Sequence, residues 1–412
     1  MPATHTHLMA EIAVKAENQV TKQILPFWDR AVIHPEGGLY GAVAVTGEAD
    51  TAAEQGILLY ARTLWSYATA AINLQSDSCL ATAHRLYQAL THYFMDAQNG
   101  GVYWTIDASH QPVDTDKYLL AHSYSLFALA KYVEASGNQA ALQAAFELEG
   151  LIQQHFLRED GTYCGHLGAD FQPAPDSDEE NLTATCNQLH TLEALTQLYS
   201  ASPTASVKQR IEAILDIFTV KIVRHQGHLP LLFNRQWQPL PAETSIGHNL
   251  EAPWLCCLAC MVIDDEARLA QFQPHLLRLI DVSLSRGVHS SGNILFGLDE
   301  NGQAPDVLFW WPQTEALCAL YCAAELTGET GYTEQLAKLW QNIENHWVDA
   351  EHGEWYSQLN LNLEPVLSEG KAGPWRSIYH IVRACSLLSG GFAAVANVNN
   401  KNQRHQRNSN DD

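Results

Sequence analysis

Two short segments carry the residue pattern most suited to chemistry. His190 and Glu193 in Leu-His-Thr-Leu-Glu-Ala stand three residues apart, as do His248 and Glu251 in Gly-His-Asn-Leu-Glu-Ala. On a helix, that spacing sets both side chains on one face within hydrogen-bond reach. A carboxylate beside an imidazole raises its pKa and fixes its tautomer, which a group that moves protons near neutral pH requires. One such pair alone reads as a surface contact or a satisfied core histidine. Two in matching contexts favour acid/base work. Arg62, His122, His380 and the pair Trp310–Trp311 are likewise out of character at the starts of apolar helical stretches.

Metal is the obvious competitor. Di-iron bundles carry Glu-x-x-His, the reverse order, with further glutamates from two other helices. No His-Glu-x-x-His occurs, and Cys256, Cys257, Cys260, Cys318 and Cys322 fall in apolar helical runs without zinc-finger spacing, so they read as core. No serine nucleophile elbow, phosphate loop or Gly-x-Gly-x-x-Gly junction is present. The expectation is therefore no metal and no cofactor. A pocket of histidine and arginine ringed with tryptophan suits a neutral polar ligand that stacks on aromatic faces, such as a sugar. A hydrolase or lyase would need paired carboxylates across the pocket. A sugar-binding protein without catalysis would explain the tryptophans but not the His–Glu pairs.

These residues need a scaffold that brings them together. Six glycines each stand two residues before a bulky residue: Gly38 with Tyr40, Gly101 with Tyr103, Gly161 with Tyr163, Gly227 with Leu229, Gly292 with Ile294, and Gly353 with Trp355. They recur roughly every 63 residues, several in hairpin-turn chemistry such as Asn99-Gly100-Gly101. Between them the chain reads as helices. A capping-box pattern at Thr51–Glu54 predicts a helix carrying Leu58, Ala61, Trp65 and Ala68, and a second helix follows over Leu80–Phe94. Two helices and a small hairpin per unit, six times over, predict an all-α (α/α)6 barrel with short β-hairpins in its connecting loops. An open solenoid is the rival. In a closed ring, Arg62, His122, His190, His248, Trp310, Trp311 and His380 would converge at one end. The boundaries expected are a 1–22 segment leading into the first helix, a single catalytic barrel over 23–390, and a polar 391–412 tail.

Composition narrows the partners. The chain has 412 residues, 46% of them hydrophobic, enough for a large core. Its formal net charge of −23 disfavours nucleic acid and anionic membranes. The longest apolar run, Trp254–Ile263, is too short to span a bilayer. Nine cysteines make no disulfide framework, and the N-terminus lacks a signal-peptide layout. The expected setting is cytoplasmic, as a monomer or weak homodimer acting on a small mono- or disaccharide.

Five ordered motifs then become recognisable: Gly-Gly-Leu-Tyr-Gly (37–41), Ala-Arg-Thr-Leu-Trp (61–65), Gly-His-Asn-Leu-Glu-Ala-Pro-Trp-Leu (247–255), Trp-Trp-Pro-Gln-Thr-Glu-Ala (310–316) and Trp-Arg-Ser-Ile-Tyr-His-Ile-Val-Arg (375–383). Over about residues 23–388 the chain resembles the N-acylglucosamine 2-epimerase superfamily, most of all its cellobiose 2-epimerase branch. The resemblance implies an (α/α)6 barrel that inverts C2 of a reducing-end sugar without a redox cofactor. It implies His380 and His248 as the two acid/base residues flanking C2, with Glu251 as partner of His248. Arg62 and His190 would hold the sugar oxygens and the developing enediolate. Trp310, Trp311 and Trp375 would be stacking walls, and His122 matches a position used by monosaccharide members. Cys186, Asn249, Ile378 and Leu120 depart from the family pattern and leave substrate size open.

The chemistry fits these residue types. Only the adjacent carbonyl acidifies the C2 hydrogen of an open-chain aldose, so a base poised near neutral pH must remove it. Fixed donors such as Arg62 would stabilise the enediolate, and one such contact can supply about 3 kcal/mol. Inversion needs a proton from the opposite face, hence two acid/base groups on different repeats. An aldose–ketose isomerase acting on mannose could manage with one, and that alternative stays open.

Overall fold

The computed structural model describes residues 3–174, 182–223 and 227–398. Its helices run in chain order α1 (Ala3–Gln19), α2 (Leu25–Ala31), α3 (Ile57–Asn73), α4 (Asp77–Tyr93), α5 (Leu119–Ser136), α6 (Gln139–Leu151), α7 (Thr185–Ala201), α8 (Ala205–Ile217), α9 (Ile246–Val262), α10 (Glu266–Gly287), α11 (Trp310–Thr327), α12 (Thr330–His346) and α13 (Tyr379–Gly390). Odd-numbered helices from α3 to α13 form the inner ring. Each packs on the next, and α13 returns to α3, so the ring is closed. The outer helices α4, α6, α8, α10 and α12 each back onto the inner helix preceding them.

Sequence explains the two layers. Inner helices are apolar almost all round, as in α3, where every residue from Ile57 to Ala70 is buried. Such helices are stable only when enclosed. Outer helices carry a single stripe: α12 buries Tyr332, Thr333, Leu336, Leu339, Trp340 and Ile343, and turns Glu334, Gln335, Lys338, Gln341 and Asn345 to solvent.

Short strands belt one end of the barrel. The strand ahead of each inner helix pairs antiparallel with the hairpin of the next unit, for example Gln55–Gly56 with Thr105–Ile106 and Lys117–Tyr118 with His166–Leu167. That neighbouring strand also accepts the first N–H of the helix: Ile57 donates to Trp104 O at 3.0 Å, Leu119 to Gly165 O and Trp310 to Ser357 O. Helix ends normally leave such donors orphaned, and here the next repeat satisfies them. A bridge between Val43 and Ala372 closes the belt from the sixth unit to the first. All six repeat glycines have left-handed φ, between +73° and +90°.

Three details differ from the sequence reading. Thr51–Glu54 lies in a turn, and α3 starts at Ile57, because the rim strand supplies the cap. The second helix starts at Asp77, where Ser76 Oγ accepts from Cys79 N at 3.2 Å. Residues 3–22 do more than lead in: α1 packs on α12 and α13 and buries Ile12 and Ala16, completing the outer ring. A π-turn at Val20–Ile24 joins it to α2, where Pro26 cannot donate to a regular helical ladder. The expected tail also begins too early, since 391–398 is built into the fold with Val395 and Ala396 buried. Its remainder, 399–412, lies outside the described residues. No helix among the described residues is long and apolar enough to cross a membrane.

Candidate active site

The rim end is organised by a clamp that repeats from unit to unit. A polar side chain in the first turn of the inner helix grips the backbone of the hairpin just beyond the repeat glycine. Tyr60 Oη accepts from Leu39 N at 2.9 Å, His122 Nε2 from Val102 N at 3.3 Å, and Gln188 Oε1 from Tyr163 N at 3.3 Å. Asn249 Oδ1 does the same for Leu229 N at 2.9 Å and Gln313 Oε1 for Ile294 N at 2.8 Å. Two positions after each clamp stands a residue turned to the barrel axis: Arg62, Tyr124, His190, Glu251 and Glu315.

That register corrects the reading of His122. It is a clamp, fully buried, with Nδ1 2.7 Å from Tyr118 O and Nε2 on Val102 N. A Cβ on Gly101 would meet its Nε2 at 2.2 Å, so the turn is fitted around the ring. Burial lowers its pKa to about 4, keeping it neutral. Tyr124 takes the axial place in this unit.

The axial residues form one hydrogen-bonded cluster. Arg62 Nη2 donates to Tyr124 Oη at 2.9 Å, and Tyr124 Oη lies 3.2 Å from His190 Nδ1, itself 3.1 Å from Glu193 Oε2. At the centre, Arg383 Nη2 donates to Glu251 Oε1 at 2.6 Å and to Glu315 Oε1 at 2.7 Å, while its Nη1 and Tyr379 Oη both hold Glu193 Oε1. His380 Nδ1 is 2.7 Å from Glu315 Oε1, and Trp254 Nε1 donates to Glu315 Oε2 at 3.0 Å.

Of the two expected His–Glu pairs, only His190–Glu193 is a direct contact. His248 Nδ1 meets Ser245 Oγ at 2.8 Å instead, the same hydroxyl that caps α9. Glu251 is drawn to Arg383 and acts on His248 through its charge. The carboxylate bonded to a predicted acid/base histidine is Glu315, on His380.

Electrostatics also reverse one expectation. Burial lowers the pKa of His248 and outweighs the opposing charge of Glu251. Burial, then Arg383 and Arg62, push His380 well down. Both imidazoles are therefore neutral near pH 7. Around Arg383, burial would raise all three carboxyls. The guanidinium charge, with help from His190, brings Glu193 and Glu251 down to about 2. Glu315 is raised to about 7, through burial and the neighbouring Glu251 charge. One guanidinium cannot neutralise three buried carboxylates, so Glu315 and His380 are the pair left to share a proton.

Trp311 stands between the two histidines, its ring 5.2 Å from that of His248 and 5.7 Å from that of His380. A Cβ at Gly247 would strike it at 2.1 Å, which explains the glycine before His248. Trp310 is buried with Arg376 over its ring at 4.6 Å, so a protein cation already covers that ring. Trp375 is 58% exposed beside Trp104, at 5.6 Å.

His190, His248 and Glu251 bring donor atoms within 4.8 Å of one another, as do Glu251, Glu315 and His380. Arg383 already donates to Glu251 and Glu315, so a cation of the protein's own serves those oxygens. No disulfide joins any of the nine cysteines, all of which are among the described residues, and the five read as core are buried.

Sequence reading missed Glu315, Arg383, Tyr124 and Tyr379 as site members. Glu315 stands in the register of Glu251, and Arg383 one helical turn beyond His380, so the clamp spacing carries a signal for both.

A closed double ring of helices with neutral imidazoles at one end, backed by carboxylates on a buried guanidinium, defines an acid/base enzyme of the helical-barrel class. The N-acylglucosamine 2-epimerase (GlcNAc 2-epimerase) family model matches residues 38–384. A cellobiose 2-epimerase of Bacteroides fragilis is 30% identical over 385 residues, covering 91% of this chain and 97% of its own. The solved cellobiose 2-epimerase of Spirochaeta thermophila superposes with a TM-score of 0.89 at 27% identity, covering 96% of this chain and 100% of its own. A D-mannose isomerase of Thermobifida fusca is 23% identical, covering 89% of this chain and 93% of its own. The chain belongs to the N-acylglucosamine 2-epimerase family and is a carbohydrate epimerase.

Proposed function

We propose that the protein inverts C2 of a reducing-end aldose, with a β-1,4 disaccharide of the cellobiose type as substrate and His380 and His248 as the acid/base pair. The observation that carries this is the placement of two neutral imidazoles, from different repeats, against the same indole of Trp311. The open-chain sugar lies on Trp311. One imidazole removes the C2 proton, and the electron pair delocalises onto O1 as the enediolate forms. His380, charged by the proton it shares with Glu315, then delivers that proton to the other face of C2 as the electron pair returns from O1, and the first imidazole, His248, gives the proton it removed to solvent. Arg62, nine-tenths buried at the same end, stabilises the enediolate oxygens. Glu315 accepts Nδ1–H of His380 and steadies the imidazolium, as the orienting carboxylate of a catalytic dyad does.

Isomerisation to a ketose, the reaction named for the Thermobifida relative, needs one base on one face. Two imidazoles favour epimerisation. Cellobiose as substrate is supported by the relatives' names and by Trp375, exposed beyond the reacting pocket where a second ring could stack. Incubation with cellobiose, glucose, mannose and N-acetylglucosamine in heavy water tests the proposal. The expected product is the C2 epimer of cellobiose with deuterium at C2. A ketose as the main product, or neither solvent deuterium nor an isotope effect from C2-deuterated substrate, overturns it.

A further inference from the structure

The end of the barrel opposite the rim strands is closed by the chain's own C-terminal segment. After α13 the chain turns through Gly391 and a short 3-10 turn, Phe392–Ala394, and crosses beneath the inner ring. Side chains from three inner helices tie it there. Asn73 Nδ2 of α3 donates to Ala394 O at 3.1 Å, and Lys131 Nζ of α5 to Val395 O at 3.0 Å. Ser200 Oγ of α7 accepts from Asn397 N at 2.8 Å. Lys131 is only 3% exposed, and its second bond, 2.7 Å to Glu134 Oε2, pairs it inside the protein. A buried lysine is costly unless its charge is met, and here it is spent on holding the 3-10 turn and the residues after it in place.

Val395 and Ala396 line a small cavity of about 20 Å³ together with Trp65, Gln197, Trp254, Glu193 and Arg383. The Nε of Arg383 and the Nε2 of Gln197, both buried, have no partner among the described residues. One layer of chain thus separates solvent from the guanidinium that organises Glu193, Glu251 and Glu315.

We propose that the segment 392–397 is a positioning element of the active site: a plug that keeps the Arg383–carboxylate cluster dry from below and so holds the catalytic histidines in their working state. This rests on the acid/base reading of His380 and His248. Six charged or titratable groups face His380: Arg62 from α3, Glu193 from α7, Glu251 from α9, Glu315 from α11, and Tyr379 and Arg383 from α13. Among them, burial is the largest influence keeping the imidazole unprotonated. Water entering past Val395 would solvate Arg383 first, loosen its hold on the carboxylates, and ease protonation of His380.

Two truncations test the plug, one removing 399–412 and one removing 392–412. The first should match the full chain in every respect. The second should keep its helical circular dichroism and a KM within about twofold, while kcat falls about tenfold, equivalent to about 1.4 kcal/mol of activation barrier. Its acid limb should move to higher pH, because a base that protonates more easily is lost sooner as pH falls. Titration of the histidine rings by NMR reads the same shift without substrate. If the full chain epimerises no aldose, the reaction assignment fails while that titration still decides the plug. A folded 392–412 truncation whose ring titrations and acid limb superimpose on the full chain overturns the proposal. Should that truncation not fold, Val395→Ala decides, since it thins the floor by two methyl groups. A smaller shift in the same direction supports the plug, and unchanged titrations overturn it.

Discussion

His122 and His248 stand at the starts of inner helices, at the same end of the same barrel, and their surroundings send them to different work. His122 occupies the clamp position and spends both ring nitrogens on backbone groups. His248 stands one place before its unit's clamp, Asn249, and spends Nδ1 on Ser245 Oγ, with no protein partner assigned to Nε2 among the described residues. One residue of register along a helix turns a side chain by about 100°, enough to move an imidazole from the hairpin to the axial pocket. A histidine in a repeat protein is thus to be judged by its phase against the repeat, and its mere recurrence in each unit is weak evidence.

The sharpest way to break this comparison is to delete the histidines one at a time. His380→Ala and His248→Ala should each lower kcat about 10³-fold with unchanged circular dichroism, the scale expected for a lost proton-transfer group. His122→Ala should do the opposite, sparing kcat and lowering stability by about 1–3 kcal/mol, because Val102 N–H loses its acceptor in the interior. His122→Gln should restore that stability, since Gln188 and Gln313 fill the same role elsewhere. A His122 variant that folds normally and loses most of its activity would return this residue to the site.

The carboxylates come next in size. Glu315→Gln should lower kcat about 10²-fold, as the direct partner of His380. Glu251→Gln should cost less, because Glu251 reaches His248 only through space. Equal losses, measured as kcat at saturating substrate, would show that the Arg383 cluster acts as one unit.

The pH dependence of stability gives a further test of His122, whose pKa burial lowers as it lowers those of His248 and His380. Burial holds His122 at about 4, below the 6.5 of a free imidazole. The unfolded chain therefore takes up a proton that the folded chain refuses, and the stability contributed is present above pH 6.5 and lost as pH falls towards 4. Melting curves at pH 7 and pH 5 should diverge less for His122→Gln than for the native chain. An identical divergence would mean that other groups dominate acid sensitivity.

Substrate preference is a smaller effect. Trp375→Ala should lower kcat/KM for cellobiose several-fold while changing that for mannose little, since stacking of a remote ring is worth a few kcal/mol at most. If mannose is turned over tenfold better than cellobiose by the native chain, the disaccharide reading fails and the family assignment stands. The smallest effect expected is none: dialysis against a chelator should leave the rate unchanged, because Arg383 already donates to Glu251 and Glu315, the carboxylates a cation would seek. Activity lost and then restored by one divalent ion would overturn that.

The sequence by itself determined the six-unit barrel, because glycines with left-handed φ must recur where each outer helix turns back, and apolar helices flanking them must be enclosed. It also carried Arg62, His190, His248 and His380 to one end, since residues in equivalent turns of a closed ring converge. It could not show that α1 completes the outer ring or that 391–398 closes the floor, for both rest on contacts between residues far apart in the chain, such as Lys131 with Val395. Nor could it choose the partners of the histidines. Local spacing paired His248 with Glu251, yet Arg383, 132 residues away, takes that carboxylate, and Glu315 reaches His380 across 65. The same blindness reversed the sign of the histidine pKa shifts. A neighbouring carboxylate is visible in a sequence, whereas the desolvation that outweighs it exists only once six helices have closed around the site.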